Sequence, residues 1–336
     1  MSFRVRPARP DDFGAIYEMA KLTGGGFTNL PPDKGALTAK LDRSEQAFSS
    51  EDGDPLGDLF VFVLENVETG AIRGTCQIFS RVGLRQPFYS YRLSTMTQTS
   101  PELGKTFRAE MLSLCTDFEG SSEVGGLFLH PAERAGGLGV LLARSRYLFI
   151  KLHRARFADT LLAELRGVID EAGGSPFWDA IAGRFFGMNF QEADAFNGVH
   201  GTRFIADLMP KTPIYTAMLS EAARAIMAVP HPSGRAAMRM LEDEGFEGGE
   251  YVDIFDGGPT MSVDTDDIRA IREANSKRFM GVAEEGIRKM LAAGQLKSFA
   301  ACYGKVGHQE DGATLDAAAA QMLGLDQGDS FLSVGR

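Results

Sequence analysis

Several features that define specialised protein classes are scarce or absent in this sequence. Its 336 residues include only three cysteines, which lie far apart and form no Cys-x-x-Cys pair, so neither a disulfide framework nor a structural zinc site is indicated. No uninterrupted apolar run approaches the roughly 18 residues of a membrane-spanning helix, and the amino-terminal segment lacks the apolar stretch of a signal peptide. We therefore expect a soluble cytoplasmic protein with reduced thiols.

Positive charge is also in short supply. Lysine and arginine total 35 against 45 aspartates and glutamates, which gives a formal net charge of -10. This balance argues against a nucleic-acid binder that depends on neutralising phosphates, and it favours attraction of cationic small molecules. At 44% hydrophobic residues the chain is nevertheless able to bury a large core.

Apolar residues follow strand and helix periods in alternation, which predicts an α/β fold with at least one parallel crossover. In chain order the pattern predicts a strand and a helix over 13–22, a hairpin turning at 66–70, helices near 101–116 and over 138–153, a strand in DTLLAELRGVID and a helix over 177–186. The tail, from about residue 261, is predicted to end in a helix, a Gly-Asp turn and a strand.

The stretch LFLHPAERAGGLGVLLA joins a predicted strand to a predicted helix through closely spaced glycines. Such a turn presents unpaired backbone N–H groups at the positive end of a helix dipole, where phosphates commonly bind. The lysine of a Walker loop and the dinucleotide fingerprint are both missing. The alternative to a phosphate site is an ordinary connection between a strand and a helix that happens to contain glycines. The pattern Arg134-x-x-Gly137-x-Gly139 resembles the R/Q-x-x-G-x-G/A signature of GNAT acyl-CoA N-acyltransferases, whose loop binds the coenzyme A pyrophosphate.

Longer motifs point to one branch of that superfamily. TGGGFTNLP, SSEVGGLFLHP, ELRGVIDEAGGSPFWDAIAGRFF, DLMPKTPIYT, HPSGRAAMRMLEDEGF and YVDIFDGGPT resemble the arginine N-succinyltransferase family, in the same order and at similar spacing, over roughly residues 3–265. The resemblance implies a mixed sheet flanked by helices, with an additional C-terminal helical and small β-rich region. It also implies direct transfer of succinyl from succinyl-CoA, a cosubstrate, to the α-amine of L-arginine in arginine catabolism, with no permanent cofactor and no metal.

We expect three regions along the chain. Residues 1–195 form the GNAT-like acyl-CoA-binding core, residues 196–260 form a helical and mixed extension that carries the HPSGRAAMRMLEDEGF and DIFDGGP motifs, and residues 261–336 form the small C-terminal β-rich region.

The resemblance assigns the residues that handle the acyl donor. His231, flanked by Pro230 and Pro232, matches the family's proton donor. Leu127 matches a succinyl-CoA contact, and the backbone around it and Leu129 is expected to pair with the pantetheine arm. The expected pyrophosphate ligands are Arg134, Gly136, Gly137 and Gly139.

Charged residues supply candidates for binding the two charged ligands. Strand alternation places Glu164 and Arg166 on one face, where they either satisfy each other or hold the acceptor guanidinium and the succinyl carboxylate respectively. Arg92 is a second candidate for the succinyl carboxylate. Further candidates for the acceptor are Asp253, Asp256, Thr28 and Asn29.

Several questions stay open at this level. The acceptor is arginine or another amine such as ornithine, and a noncatalytic coenzyme A-binding subunit of a heteromeric enzyme is the alternative from a different class. The general base is unassigned, a water chain and Glu164 being the options. Partners are expected to be small-molecule substrates and either a second copy of the chain or a related subunit, without nucleic acid or membrane. Cys76, Cys115 and Trp178 are interpreted as core residues.

Overall fold

The computed structural model describes residues 2–23, 29–134, 136–201 and 203–335. Its helices are α1 (Phe13–Lys21), α2 (Lys34–Ser49), α3 (Leu138–Leu152), α4 (Pro176–Ala180), α5 (Gly183–Phe186), α6 (Phe190–His200), α7 (Arg203–Leu208), α8 (Glu221–Ile226), α9 (Arg235–Glu242), α10 (Arg269–Glu273) and α11 (Ala317–Leu323). Its strands are β1 (Phe3–Pro7), β2 (Leu59–Asn66), β3 (Ile72–Phe79), β4 (Ser90–Ser100), β5 (Lys105–Cys115), β6 (Ser122–Leu129), β7 (Thr160–Glu164), β8 (Ile214–Tyr215), β9 (Glu247–Val252), β10 (Pro259–Asp264), β11 (Asn275–Val282), β12 (Ile287–Ala293), β13 (Ala300–Gln309), β14 (Gly312–Leu315) and β15 (Ser330–Val334).

The described strands form one continuous mixed sheet, which confirms the predicted α/β class. Its order is β12-β15-β11-β14-β13-β1-β2-β3-β6-β7-β10-β9-β4-β5-β8, with a further pairing between β12 and β13. Adjacent strands run antiparallel except for β6 with β7 and β11 with β14. The β6–α3–β7 segment is therefore the predicted parallel crossover.

The centre of the sheet is covered on both faces, which explains the uninterrupted apolar run of β2. Phe60 and Phe62 pack with Phe149 of α3 on one face, and Val61 and Val63 pack with α1 and α2 on the other. A strand buried on both faces needs apolar residues at every position. The predicted hairpin between β2 and β3 is confirmed.

The sequence prediction of a helix near 101–116 is wrong. This region is the strand β5, not a helix, and it pairs with β4 over eleven residue pairs, from Ser90–Cys115 to Ser100–Lys105. This long ladder satisfies the backbone hydrogen bonds of both strands, and such a partner overrides the local helical pattern.

The predicted helix over 177–186 is divided into two short helices, α4 and α5, because the chain bends at Ile181. Trp178 is fully buried there, as predicted, and its indole Nε1 donates to the carbonyl of Met188 at 2.8 Å.

The tail is β-rich, as predicted. Strands β11 to β15 close on themselves, since β12 pairs with both β15 and β13, and α11 packs against β13. Strand β13 also pairs with β1 at Val5–Ala301, so the tail continues the central sheet. Cys76 is buried, as predicted, whereas Cys115, also predicted to be a core residue, is only half-buried; Cys302 is buried as well. Within the described ranges, no helix combines the length and apolarity needed to cross a membrane.

Candidate active site

Strands β6 and β7 form a fork. They pair only at Ser122–Leu161 and Glu123–Leu162, and within the described residues β6 has no strand partner on that side beyond Glu123. On its other side β6 pairs with β3 through a register shift, and Gly126 at that shift has φ +58°. The bulge and the fork leave the stretch from Val124 to Leu129 facing an opening instead of a neighbouring strand.

A cavity of about 990 Å³ lies along this fork. It brings together residues from β6, the start of α3, the end of β7, the His231 segment and the loop after β9. The predicted site residues that line it are Asn29, Leu127, Leu129, Arg134, Gly136, Gly137, Gly139, Glu164, Arg166, His231, Asp253 and Asp256.

The glycine turn forms one end of this cavity. Gly136 and Gly137 have φ +68° and +83°, a left-handed conformation that glycine adopts without steric cost, and Gly137 is the N-cap of α3. The 15-residue helix begins directly at the cavity wall, where Leu138, Gly139 and Val140 also line it. Its first N–H groups and dipole make this end suited to an anion, and Arg134 adds a positive charge.

Glu164 and Arg166 also line the cavity, and each has an unsatisfied polar atom. The Oε1 atom of Glu164 and the Nε atom of Arg166 are buried and have no hydrogen-bond partner among the described residues. No ion pair joins the two side chains within the described part of the chain. Because buried polar groups are normally hydrogen-bonded, these two atoms stay candidates for binding a ligand.

Glu164 is buried close to several other acidic side chains, whose charges also raise its pKa. Burial, together with Asp253, Glu123 and Asp256, raises the pKa of Glu164 well above its usual value. Burial also raises the pKa of Asp253 and that of Asp256. Burial lowers the pKa of Arg166, against the attraction of Asp256 and Asp194. A cationic ligand entering this region would relieve the repulsion among the carboxylates.

Asp253 and Asp256 differ in the hydrogen bonds that their carboxylate oxygens already accept. Asp256 is engaged on both oxygens, since Oδ2 accepts from the N–H of Gly167 at 2.7 Å and Oδ1 from that of Gly258 at 2.8 Å. These bonds tie the loop after β9 to the end of β7. Asp253 accepts the N–H groups of Phe255 and Asp256 through Oδ1, and its carboxyl group also contacts that of Asp256. Backbone N–H groups therefore occupy both oxygens of Asp256 but only Oδ1 of Asp253.

His231 is anchored through its backbone and its ring. Its N–H donates to the carbonyl of Arg166 at 2.8 Å, which fixes the His231 segment beside the end of β7. The N–H of Ser233 donates to Nδ1 at 3.3 Å, and the Ser233 Oγ lies 2.7 Å from the same nitrogen. Nδ1 thus acts as an acceptor, and the neutral ring has its proton on Nε2. Burial, followed by the charge of Arg166, lowers the pKa of His231.

Not every predicted residue reaches the cavity. Arg92 lies outside it, on an exposed part of β4, where Nη1 pairs with Asp117 at 3.2 Å. The structure therefore does not bring Arg92 together with the other candidates. Thr28 lies outside the described residues.

Sequence reasoning missed four residues around the cavity. Tyr147 of α3 lines it, and burial raises the pKa of its phenol to about 12. Lys40, Gln77 and Glu123 form a hydrogen-bonded group with Asn29 at its edge. The one sequence signal was a charged residue in an otherwise apolar strand, Glu123 in SSEVGGLFLHP. Nothing in the sequence indicated that Lys40 lies near it.

The forked strands, the β6 bulge and the glycine turn that begins α3 define an N-acyltransferase of the GNAT type, which takes its acyl group from an acyl-CoA. Residues 3–270 match the family described as arginine N-succinyltransferase beta subunit, and residues 281–334 match the description of that subunit's C-terminal domain. The chain belongs to the arginine N-succinyltransferase family.

Individual relatives agree with this assignment. The arginine N-succinyltransferases of Salmonella paratyphi B and Salmonella enteritidis are each 45% identical over 281 residues, covering 83% of this chain and 80% of theirs. The structure of arginine/ornithine succinyltransferase subunit AI from Pseudomonas aeruginosa matches with a TM-score of 0.91 at 32% identity, covering 99% of this chain and 98% of that one. The predicted family, fold and acyltransferase class are confirmed.

Proposed function

We propose that this chain transfers the succinyl group of succinyl-CoA to the α-amine of L-arginine. One observation carries the proposal: a single cavity is lined by the start of α3, by a group of crowded carboxylates and by His231. The start of α3 suits the coenzyme A pyrophosphate and the carboxylates suit a guanidinium.

The residues divide between the two ligands. Arg134 and the N–H groups that follow Gly136 and Gly137 hold the pyrophosphate, while the backbone at Leu127 and Leu129 lies along the pantetheine arm. Glu164 and Asp253 hold the acceptor guanidinium. Arg166 holds the succinyl carboxylate, since its buried Nε has a donor to spare.

The reaction is a direct displacement. The α-ammonium first loses a proton, and the nitrogen lone pair then attacks the thioester carbonyl carbon. As the C–N bond forms and the C–S bond breaks, the attacking nitrogen loses a second proton to solvent and the departing thiolate takes one from His231, which then regains a proton from solvent. The lowered pKa of this histidine makes its protonated form a stronger acid, and the contacts from Ser233 hold the ring in place for the transfer.

Thiol release from succinyl-CoA tests the proposal, with arginine, ornithine, lysine or no acceptor present, for the natural chain and for His231→Ala. We expect arginine-dependent release that falls by about 10²- to 10⁴-fold in the variant, the usual range for a lost acid–base group. If thiol release persists in the variant, the proposed reaction stands but His231 is not its proton donor. If the chain binds coenzyme A but releases no thiol with any acceptor, the proposed enzymatic activity is refuted and a noncatalytic subunit is favoured.

Ornithine is the second candidate acceptor. The relative from Pseudomonas aeruginosa is named for both arginine and ornithine, and ornithine also presents a cation to the same carboxylates. The ratio of kcat/KM for the two acceptors decides between them. A planar guanidinium can bind Glu164 through two hydrogen bonds, which favours arginine.

Three wider inferences belong to the same proposal. We infer a cytoplasmic enzyme, assembled with a second copy or a related subunit. We also keep the division into a core of residues 1–195, an extension of 196–260 and a β-rich region of 261–336.

A further inference from the structure

We propose that Arg146 of α3 determines the choice of acyl donor: together with Arg166 it binds the free carboxylate of the succinyl group, and it thereby favours succinyl-CoA over acyl-CoA molecules with an uncharged acyl chain. The inference rests on the proposed function, because it names a residue that recognises the acyl donor of that reaction.

Arg146 is the most deeply buried arginine in the part of the chain that the structure describes, with 3% of its surface exposed. Two other arginines are almost as buried, and each has a carboxylate partner. Nη1 of Arg6 lies 2.7 Å from Oδ2 of Asp12, and Nε of Arg144 pairs with Glu244. Arg146 forms no ion pair with any described residue. Because a buried guanidinium without a counter-ion is unfavourable, we infer that a ligand supplies the missing anion.

Arg146 belongs to the face of α3 that lines the cavity. Gly139, Ala143 and Arg146 follow one another at helical spacing, and all three line it. The first two have little or no side chain, which leaves space along the helix for an extended ligand. Arg146 is therefore the first charged residue on this face after the glycine turn.

Two hydrogen bonds hold the side chain of Arg146 beside the β6 bulge. Nε donates to the carbonyl of Ala143 at 3.0 Å, and Nη1 donates to the carbonyl of Gly125 at 3.4 Å. Gly125 precedes Gly126, which has φ +58° at the register shift between β6 and β3. Nη2 makes no hydrogen bond to a described residue, so its N–H groups are available to an acceptor in the cavity.

The place of Arg146 along β6 identifies the carboxylate of the acyl group as its partner. The pyrophosphate is assigned to the start of α3 and the pantetheine arm to the backbone at Leu129 and Leu127, so the acyl group follows in the direction of Gly125. Two strand residues cover about 7 Å, and the succinyl chain is long enough to carry its carboxylate over much of such a distance. The planar fork of a guanidinium suits a carboxylate, which an uncharged acyl chain lacks.

Arg166 approaches the same carboxylate from the other arm of the fork. It follows β7, whereas Arg146 contacts β6, and the pairing of these two strands ends at Glu123. Both arginine side chains line the same cavity. A carboxylate held between the two arms offsets the repulsion between the guanidiniums, and an uncharged acyl chain leaves both of them without a partner.

The test compares the Kd of succinyl-CoA with that of butyryl-CoA, which has the same number of acyl carbons and no carboxylate, by isothermal titration calorimetry. The natural chain should bind succinyl-CoA more tightly. Arg146→Met should reduce this preference by about 10- to 100-fold, because charge-assisted hydrogen bonds are lost, and should change the Kd of butyryl-CoA little. Arg146→Lys keeps the charge without the planar fork and should lose only part of the preference.

Arg144→Met is the matched control, since Arg144 is a buried arginine on the same helix that does not line the cavity. This control should lower stability and leave the preference for succinyl-CoA unchanged. An Arg146→Met chain that binds both thioesters equally less well would show a structural role and overturn the inference. An unchanged preference accompanied by a raised KM for arginine would place Arg146 at the acceptor and overturn it as well.

If Arg146→Met does not fold, Arg146→Gln removes the charge and keeps a polar group for the carbonyl of Gly125, and an unchanged preference in that variant would overturn the inference equally. A natural chain that binds both thioesters with the same Kd would do so too. Lack of arginine-dependent thiol release by the natural chain would instead refute the proposed function. Because the Kd values are measured without acceptor, the two failures are distinguishable.

Discussion

Replacing Gly136 by alanine separates the anion-binding role of the glycine turn from a purely structural one. Gly136 has φ +68°, and an added Cβ would meet no atom within 4 Å, so the substitution introduces backbone strain without a clash. A left-handed conformation costs a non-glycine residue about 1–2 kcal/mol. If the turn relaxes to escape that strain, the affinity for coenzyme A falls by at most the same energy, which corresponds to roughly 5- to 30-fold.

The assay compares kcat/KM for succinyl-CoA with that for succinyl-pantetheine, which lacks the pyrophosphate. Gly136→Ala should lower the value for succinyl-CoA by the factor given above and leave the value for succinyl-pantetheine nearly unchanged. Gly324→Ala is the matched control, because Gly324 has φ +64°, equally open surroundings and a place in the C-terminal region away from the cavity. Gly324→Ala should lower stability by a similar amount without changing kcat/KM for either thioester. An equal loss with both thioesters would refute the assignment of this turn to the pyrophosphate.

Two further predictions concern charge. Glu164→Gln should raise KM for arginine by about 10- to 100-fold without changing KM for succinyl-CoA, because a charge-assisted bond to the guanidinium is lost. Because a bound guanidinium favours the ionised form of Glu164, whose pKa is raised in the free enzyme, KM should fall as pH rises in the natural chain, and this slope should flatten in the variant. Glu244→Ala should lower the free energy of unfolding by about 3–5 kcal/mol in urea denaturation, because it leaves the buried guanidinium of Arg144 unpaired. A loss below about 1 kcal/mol, the range of the exposed control Glu247→Ala, would contradict that reasoning.

The parts of the fold that the sequence predicted are those set by local pattern. The strand, glycine turn and helix around Gly137 depend on neighbouring residues, and so does the hairpin between β2 and β3. Strand β5 was missed because its identity depends on pairing with β4, and the closure of the tail depends on pairing between strands that local pattern does not relate. Long-range pairing leaves little trace in a single sequence.

The same distinction holds for the candidate site. The residues that the motifs identified, such as His231 and Glu164, do line one cavity. The group of Lys40, Gln77 and Glu123 was not predicted, because α2, β3 and β6 come together only in the folded sheet. Arg92 was proposed for its charge alone, and charge does not determine which side of the sheet a residue occupies. The side-chain network at the edge of the cavity is therefore the part that required the structure.

The C-terminal region also bears on the chemistry, although it supplies none of the cavity's lining residues. The hydroxyl of Tyr303 on β13 donates to the carbonyl of Gly137 at 3.0 Å, at the left-handed turn that begins α3. Farther along α3, Arg144 donates to the carbonyl of Gly335 at 3.1 Å, and Lys151 donates to the carbonyl of Ile271 at 2.6 Å. Bonds at the start, middle and end of α3 thus hold the helix against the elements that follow β10. Because an anion site made of backbone N–H groups is only as well defined as the helix that presents them, we expect donor binding to depend on these contacts from the tail.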